Sequence, residues 1–286
     1  MILQRKPAGI LPLLLVAGLI VPVATDAGAA DASPWDTDLR SAARLIAAPP
    51  RVHQGVLAYR AAVQIKMQPG WKTYWRYPGD SGVPPMFDFS ASENVGSVRV
   101  AYPAPMRFDD GAGGTAVGYK DEVVLPLYVV AKGAGEPTLR VKLDYAVCEK
   151  LCIPAKADLT LALGGIGNEQ ARIIEAAEAK VPVQAAVGEQ GTPSIRAVRR
   201  EAGSGKPRVI VDVAAPAGAA VTLFAEGPTP DWALPLPEPI AGGGPELQRF
   251  AFVLEGLPAG AKPDGATLRL TAVAAGHAVE VAFRLD

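Results

Sequence analysis

The sequence predicts an all-β protein in which an immunoglobulin-like β-sandwich is followed by a second, smaller β-sandwich domain, with one linking helix. Three observations support this fold class. Apolar residues recur at every second position in many short runs, which is the period of a strand with one buried face. Glycine- and proline-rich turns separate the runs, and strands do not alternate with helices as they do in α/β folds.

The amino-terminal residues predict a secretory signal peptide. Arg5 and Lys6 give a positive start, an apolar run follows from residue 8 to residue 24, and small residues end the segment at 27–29. The run is short for a membrane span and is interrupted by prolines. We therefore expect residues 1–29 to be removed on export, leaving a soluble protein without a membrane span.

Residues 30–166 are predicted to form the first sandwich. They begin with a polar, proline-bounded lead-in, in which residues 41–48 form either a short helix or a segment lying along the sheet. Pro126 favours an edge position for its strand, because proline cannot donate to a β-ladder. The aromatic cluster at 71–77 is expected to be core rather than docking surface. The strands are predicted at 56–67, 95–102, 123–130, 139–147 and 159–163.

Residues 167–191 predict a helix and a linker. Ile173, Ile174 and Ala177 form an apolar side of this helix, charged residues form the other, and Pro182 ends it. Residues 192–286 then predict the second sandwich, which contains no cysteine. Its strands are predicted at 195–200, 207–213, 220–226, 247–254, 267–273 and 277–284.

Composition excludes several classes of function. A formal net charge of −1 and a pI near 6.2 provide no electropositive surface, so nucleic acid is not an expected partner. The chain contains two histidines and two cysteines, too few for a closed four-ligand zinc site of these residue types. We expect no cofactor.

The two cysteines, Cys148 and Cys152, are separated by three residues. Alternating apolar runs precede and follow them, which predicts a β-hairpin with one cysteine on each strand beside the turn. Directly opposed strand residues have Cα atoms about 4.5–5.5 Å apart, and a disulfide requires about 4.4–6.8 Å. The pair can therefore form a bond, and open again, without moving the sheet.

Three uses of this pair are compatible with the residues. A structural staple is the common role of cysteine pairs in exported domains, although closing so short a loop removes little unfolded-state entropy. A redox pair reached by the thiol of another protein fits a position at a hairpin tip near solvent. Two thiolates could also hold Cu(I), a soft ion.

Four motifs together resemble the amino-terminal periplasmic domain of the thiol:disulfide interchange protein DsbD and its relative ScsB. The motifs are PGWKTYWR at 69–76, PGDSGVPP at 78–85, GYKDEVVLP at 118–126 and YAVCEKLCIP at 145–154. The resemblance implies an immunoglobulin-like fold, a periplasmic location and redox activity of the cysteine pair. The spacer between the cysteines is shorter than in DsbD and matches the ScsB-like branch.

The resemblance also implies roles for individual residues. Cys148 and Cys152 would be the catalytic pair, with Cys152 forming the mixed disulfide. A cap loop from Phe108 to Gly114 would shield the sulfurs, with Phe108, Asp109 and Asp110 as its main residues, and Tyr119 would border the site. From the residues alone, Phe108 fits ordinary core and the two aspartates fit a solvated turn equally well.

Partners follow from the same resemblance. Full-length reductases of this family continue into membrane helices and a thioredoxin-like domain, and the sequence up to Asp286 contains neither. The expected electron donor is therefore a membrane thiol reductase, and the expected acceptors are thioredoxin-fold periplasmic oxidoreductases. The alternative is a non-enzymatic periplasmic binding or scaffold protein with a structural disulfide, linked to copper tolerance.

Overall fold

The computed structural model describes residues 1–2, 30–53, 55–80, 82–110, 113–164, 168–202, 206–244 and 246–286. Nearly all of the predicted signal peptide lies outside these ranges. Strands dominate the described chain, which confirms the all-β class. No helix in these ranges is long and apolar enough to cross a membrane.

The first sandwich consists of two antiparallel sheets. Its strands are β1 (Asp36–Thr37), β2 (Ser41–His53), β3 (Val56–Met67), β4 (Lys72–Gly79), β5 (Met86–Asp88), β6 (Val95–Val100), β7 (Met106–Asp109), β8 (Thr115–Lys120), β9 (Glu122–Ala131), β10 (Thr138–Cys148) and β11 (Cys152–Ala162). One sheet has the order β1-β2-β3-β9-β6. The other has the order β11-β10-β4-β8-β7, with β5 also paired to β10.

The core of this sandwich lies between the inward faces of the two sheets. Leu45, Val63 and Leu125 come from the first sheet and pack in one cluster with Trp75 and Leu143 from the second. These strands show the alternation that the sequence predicted, because successive side chains of a strand point to opposite faces. The inward face supplies the hydrophobic stabilisation of the sandwich.

Two expectations about strands are wrong. The lead-in forms the long strand β2, paired with β3, and β9 lies between β3 and β6 rather than at an edge. Pro126 lies inside the sheet, and its carbonyl accepts a bond from the Ala101 amide at 2.8 Å on the side where β6 lies. The β6–β9 ladder ends at the pair Val100 and Leu127, so the missing N–H of Pro126 falls just beyond it.

Helix α1 (Asn168–Glu178) packs on the outer face of the five-stranded sheet. Ile174 is fully buried there against Ile46 and Ala62. Arg60, whose side chain is buried, donates two hydrogen bonds to the Glu178 carboxylate at 3.0 and 2.6 Å. The linking helix is therefore anchored to the first sandwich.

The second sandwich follows the helix and has two four-stranded sheets. Its strands are β12 (Val183–Gln184), β13 (Ser194–Glu201), β14 (Arg208–Ala214), β15 (Val221–Glu226), β16 (Glu238–Ile240), β17 (Leu247–Val253), β18 (Thr267–Ala274) and β19 (His277–Arg284). The sheet orders are β12-β19-β18-β15 and β13-β14-β17-β16. A separate apolar cluster that includes Val211, Leu223 and Leu270 forms its core.

The two sandwiches pack against each other through strand β15. Leu223 faces the core of the second sandwich, whereas the next residue, Phe224, lies in the core cluster of the first. The ring centroids of Phe224 and Trp75 are 5.4 Å apart. The Tyr77 hydroxyl donates to the Leu234 carbonyl at 2.8 Å. Strand β4, which carries both Trp75 and Tyr77, is thus a main contact of the second sandwich.

A charged cluster lies at the same interface. The Arg76 guanidinium donates two hydrogen bonds to Glu226, at 2.8 and 2.7 Å, and one to Glu280. Both glutamates are buried. Burial alone would raise the pKa of Glu280, but the charge of Arg76 and a hydrogen bond from Gln184 outweigh burial and lower that pKa below its ordinary value.

Candidate disulfide site

Cys148 is the last residue of β10 and Cys152 is the first of β11, and the two are directly paired in the ladder. Their Cα atoms are 4.1 Å apart and their sulfurs form a disulfide. The predicted hairpin, with its cysteines opposed beside the turn, is therefore confirmed. Cys148 is 6% exposed, whereas Cys152 and the adjacent Leu151 are exposed to solvent. The disulfide thus joins a buried cysteine, Cys148, to a solvent-exposed one, Cys152.

A tyrosine hydroxyl lies beside both sulfurs. The Tyr74 Oη atom is 2.8 Å from Cys148 Sγ and 3.1 Å from Cys152 Sγ. Strand β4 carries Tyr74 and pairs with the end of β10, where the Thr73 hydroxyl donates to the Ala146 carbonyl at 2.8 Å. The hydroxyl can donate to whichever sulfur becomes a thiolate when the bond opens.

Sequence reasoning missed Tyr74 by treating its aromatic cluster as one block of core. Trp71, Trp75 and Tyr77 do lie in the sandwich core, as expected. Tyr74 is also buried, but it occupies the opposite face of β4 and belongs to the cluster around Cys148. The alternation of strand side chains indicates this orientation. Tyr74 is an odd number of positions from both Trp71 and Trp75, so it points to the face opposite the two tryptophans that line the core.

Two glycines allow close packing at Tyr74, one against its ring and one against the backbone of its strand. A Cβ atom on Gly82 would lie 2.2 Å from the Tyr74 ring, and Gly82 has a φ of +123°, which favours glycine. A Cβ atom on Gly118 would lie 1.9 Å from the Thr73 carbonyl oxygen, where β8 crosses close to β4. The loop after β4 therefore packs against the Tyr74 ring, and β8 lies close to the backbone that carries it.

Phe108 lies beside the cluster that contains the buried Cys148. It packs against the cluster formed by Tyr74, Ala116, Ala146 and Cys148, and its ring centroid is 6.4 Å from that of Tyr74. The Lys72 ammonium lies 4.8 Å from the centre of the Phe108 ring, a cation–π contact. Phe108 therefore lies where the resemblance placed a cap, although its role stays a prediction.

The predicted cap loop begins as a strand. Phe108 and Asp109 belong to β7, which pairs with β8. The Asp110 carboxylate accepts a bond from the Gly114 amide at 2.9 Å and so closes this turn. Residues 111 and 112 of the predicted loop lie outside the described residues.

The electrostatic environment keeps the Tyr74 hydroxyl protonated. Burial raises the pKa of Tyr74 above its ordinary value, and the negative charge of Asp110 raises it further. The backbone carbonyl of Asp109 lies 3.5 Å from the Lys72 ammonium, so Asp109 and Asp110 lie close to the site. Tyr74 is thus a hydrogen-bond donor throughout the physiological pH range.

Tyr119 lies elsewhere. Its side chain belongs to the sandwich core and its hydroxyl donates to the Pro103 carbonyl at 2.8 Å. Burial raises the pKa of Tyr119 well above its ordinary value. The structure therefore brings Cys148, Cys152, Phe108 and the adjacent aspartates together, and it places Tyr119 in a different cluster.

Metal ligands do not assemble in the described part of the chain. Within it, no three or more His, Cys, Asp or Glu side chains are grouped so that they could hold a metal ion. The two sulfurs are bonded to each other. Copper binding by the reduced thiolates stays a prediction.

An immunoglobulin-like sandwich with a disulfide at an exposed hairpin end, one of whose cysteines is open to solvent, has the features of a domain for thiol–disulfide exchange. Residues 48–164 match the family described as "Thiol:disulfide interchange protein DsbD, N-terminal". The match covers most of the first sandwich, which is therefore similar to this family, as its motifs predicted.

A solved structure matches most of the chain. The crystal structure of the N-terminal periplasmic domain of ScsB from Proteus mirabilis aligns with a TM-score of 0.69 and 22% sequence identity, covering 89% of this chain and 98% of that one. At this identity the likeness concerns the fold, and it extends over both sandwiches. A comparison with curated proteins finds no significant match.

Proposed function

We propose that residues 30–166 form a periplasmic thiol–disulfide exchange module. It receives electrons from a membrane thiol reductase and passes them through Cys148 and Cys152 to oxidised thioredoxin-fold oxidoreductases. The observation that carries the proposal is the asymmetry of the disulfide, with Cys152 exposed and Cys148 covered beside a tyrosine hydroxyl. A staple requires neither an open sulfur nor a hydroxyl shared between both sulfurs.

Reduction of the module begins at the exposed end. A donor thiolate attacks Cys152 Sγ, the sulfur–sulfur bond breaks, and its electron pair leaves on Cys148 as a thiolate. The Tyr74 hydroxyl, 2.8 Å from Cys148 Sγ, is placed to donate a hydrogen bond to this thiolate. The second donor thiol then attacks the donor sulfur of the mixed disulfide, which releases Cys152 and leaves the donor oxidised.

Transfer to the acceptor reverses these events. The Cys152 thiolate attacks a sulfur of the acceptor disulfide, and one acceptor cysteine leaves as a thiolate. Cys148 then attacks Cys152 Sγ, re-forms the intramolecular bond and releases the acceptor as a dithiol. Two electrons and two protons pass from donor to acceptor, and the hairpin geometry lets the bond re-form between opposed strand residues.

Cys148→Ala is expected to accumulate a mixed disulfide with a purified, oxidised thioredoxin-fold oxidoreductase. The exposed Cys152 can still attack, but no second cysteine remains in the module to resolve the product. Non-reducing electrophoresis and mass spectrometry detect the adduct.

Cys152→Ala is the matched variant, and it should give much less adduct because Cys148 is covered. The double variant should give none. If Cys148→Ala forms no adduct with any thioredoxin-fold oxidoreductase, or if a thiol buffer cannot reduce the wild-type disulfide under native conditions, the exchange function is wrong and a scaffold with a structural disulfide is supported.

A further inference from the structure

Strand β7 carries the cap residue but is weakly held within its own sheet. It is four residues long, lies at the edge of the six-stranded sheet and, among the described strands, pairs only with β8. Short edge segments open locally more readily than central strands. A contact from outside the sheet would therefore help to keep Phe108 against the cysteine cluster.

Arg107 provides that contact from the opposite face of the strand. Its Nη2 atom donates to the Leu223 carbonyl at 2.8 Å and to the Pro237 carbonyl at 2.6 Å, and its Nη1 atom donates to Glu238 at 2.9 Å. All three acceptors belong to the second sandwich. The guanidinium also lies 5.7 Å from the centre of the Phe224 ring. Because consecutive strand residues face opposite ways, Arg107 reaches the second sandwich while Phe108 faces the disulfide.

We propose that Arg107 is a positioning residue through which the second sandwich holds Phe108 against Cys148 and Tyr74. The second sandwich thereby controls access to Cys148 and leaves Cys152 open to partners. This assigns a role to a domain that contributes no cysteine and no other side chain to the disulfide site described above. The biological use of this control rests on the proposed exchange function, whereas the contact itself is independent of any redox partner.

The test measures the alkylation rate of each cysteine in the reduced full-length protein. Trypsin cleaves after Lys142, Lys150 and Lys156, so the two cysteines appear in separate peptides, 143–150 and 151–156. In wild type, iodoacetamide should modify Cys152 faster than Cys148. Arg107→Ala should accelerate alkylation of Cys148 about tenfold, through loss of charge-assisted bonds that oppose local opening, and change Cys152 less than about twofold.

Three further variants test which interactions of Arg107 and Phe108 determine the alkylation rate of Cys148. Glu238→Ala leaves both carbonyl bonds of Arg107 in place and should leave the Cys148 rate at the wild-type value. Arg107→Lys keeps the charge but lacks the planar fork of donors, so its rate should lie between those of wild type and Arg107→Ala. Phe108→Ala uncovers the cluster directly and should accelerate Cys148 at least as much as Arg107→Ala.

The proposal is overturned if Arg107→Ala or Phe108→Ala leaves the Cys148 rate unchanged. It is also overturned if both cysteines accelerate together, which indicates general loosening of the fold. Thermal unfolding of each variant identifies that case independently. If the labelling follows the expected pattern but the Cys148→Ala variant captures no oxidoreductase, the positioning role stands and the exchange function fails.

Discussion

Arg76→Met is expected to lower the free energy of unfolding by about 3–5 kcal/mol at neutral pH, since it removes the guanidinium that pairs with both Glu226 and Glu280, while the half-exposed Arg269 stays 3.4 Å from Glu280. Glu226 and Glu280 have side-chain exposures of 9% and 8%, so solvent cannot replace the lost guanidinium. Urea unfolding of the full-length chain measures the difference. Both sandwiches should respond, because the cluster joins β4 to the sheet containing β15 and β19.

The loss of stability in Arg76→Met should be smaller at acidic pH, and Glu280 determines the sign of this pH dependence. Burial opposes the ionisation of Glu280, but Arg76 and Gln184 outweigh burial and lower the pKa of Glu280 in the folded state. The ionised Glu280 therefore stabilises the fold above the ordinary glutamate pKa, and this stabilisation is lost as pH falls through the pKa of the folded state. Without Arg76, Glu280 takes up a proton at higher pH. The difference between wild type and variant is therefore largest near neutrality.

The matched control for this prediction is Arg140→Ala. It removes an arginine from an exposed pair with Glu93 in the same sandwich, where a loss below about 1 kcal/mol is expected because solvent screens the interaction. Equal losses of unfolding free energy for Arg76→Met and Arg140→Ala would show that the buried cluster stabilises the interface no more than an exposed ion pair does.

Tyr74→Phe is expected to slow thiol–disulfide exchange about tenfold to a hundredfold, since a hydrogen bond to a charged group contributes about 1.5–3 kcal/mol and the thiolate leaving on Cys148 loses its donor. Stopped-flow reduction of the disulfide by dithiothreitol measures the rate. Burial and the charge of Asp110 raise the pKa of Tyr74, so the wild-type hydroxyl stays a donor and the ratio of rates should persist up to about pH 10.

Tyr119→Phe also removes a buried tyrosine hydroxyl from the first sandwich, and it serves as the control. Its hydroxyl bonds to the Pro103 carbonyl and not to a sulfur, so the exchange rate should match wild type even if stability falls. A slow Tyr119→Phe variant would instead show that the exchange rate responds to the loss of any buried hydroxyl in this sandwich. An unchanged Tyr74→Phe rate would remove the tyrosine from the mechanism.

The cysteine hairpin could be predicted because everything that specifies it is local. A period of two and a short link between two alternating runs place Cys148 opposite Cys152, and the ladder confirms that register. The resemblance added Phe108 and the two aspartates, which lie close to the disulfide. Each of these inferences needed only neighbouring residues or a motif.

Predictions that depended on partners from elsewhere in the chain were less successful. The lead-in contained no strong strand signal, yet β2 forms because β3 offers it a ladder. Pro126 suggested an edge, but the neighbouring strand ends just before the missing donor. Tyr74 is buried, as expected, but no partner from elsewhere in the chain was predicted for it, and it packs against Cys148 rather than between the two sheets.

By itself, the sequence determined the all-β class, most strands and the opposed cysteines, because the period of a strand and the reach of a short turn are properties of the local chain. Only the tertiary structure decided which groups surround the disulfide and what holds them. The Tyr74 hydroxyl meets Cys148 across 74 positions, and Arg76 meets Glu226 across 150. Contacts at such separations exist only after the sheets have packed, so no local pattern encodes them.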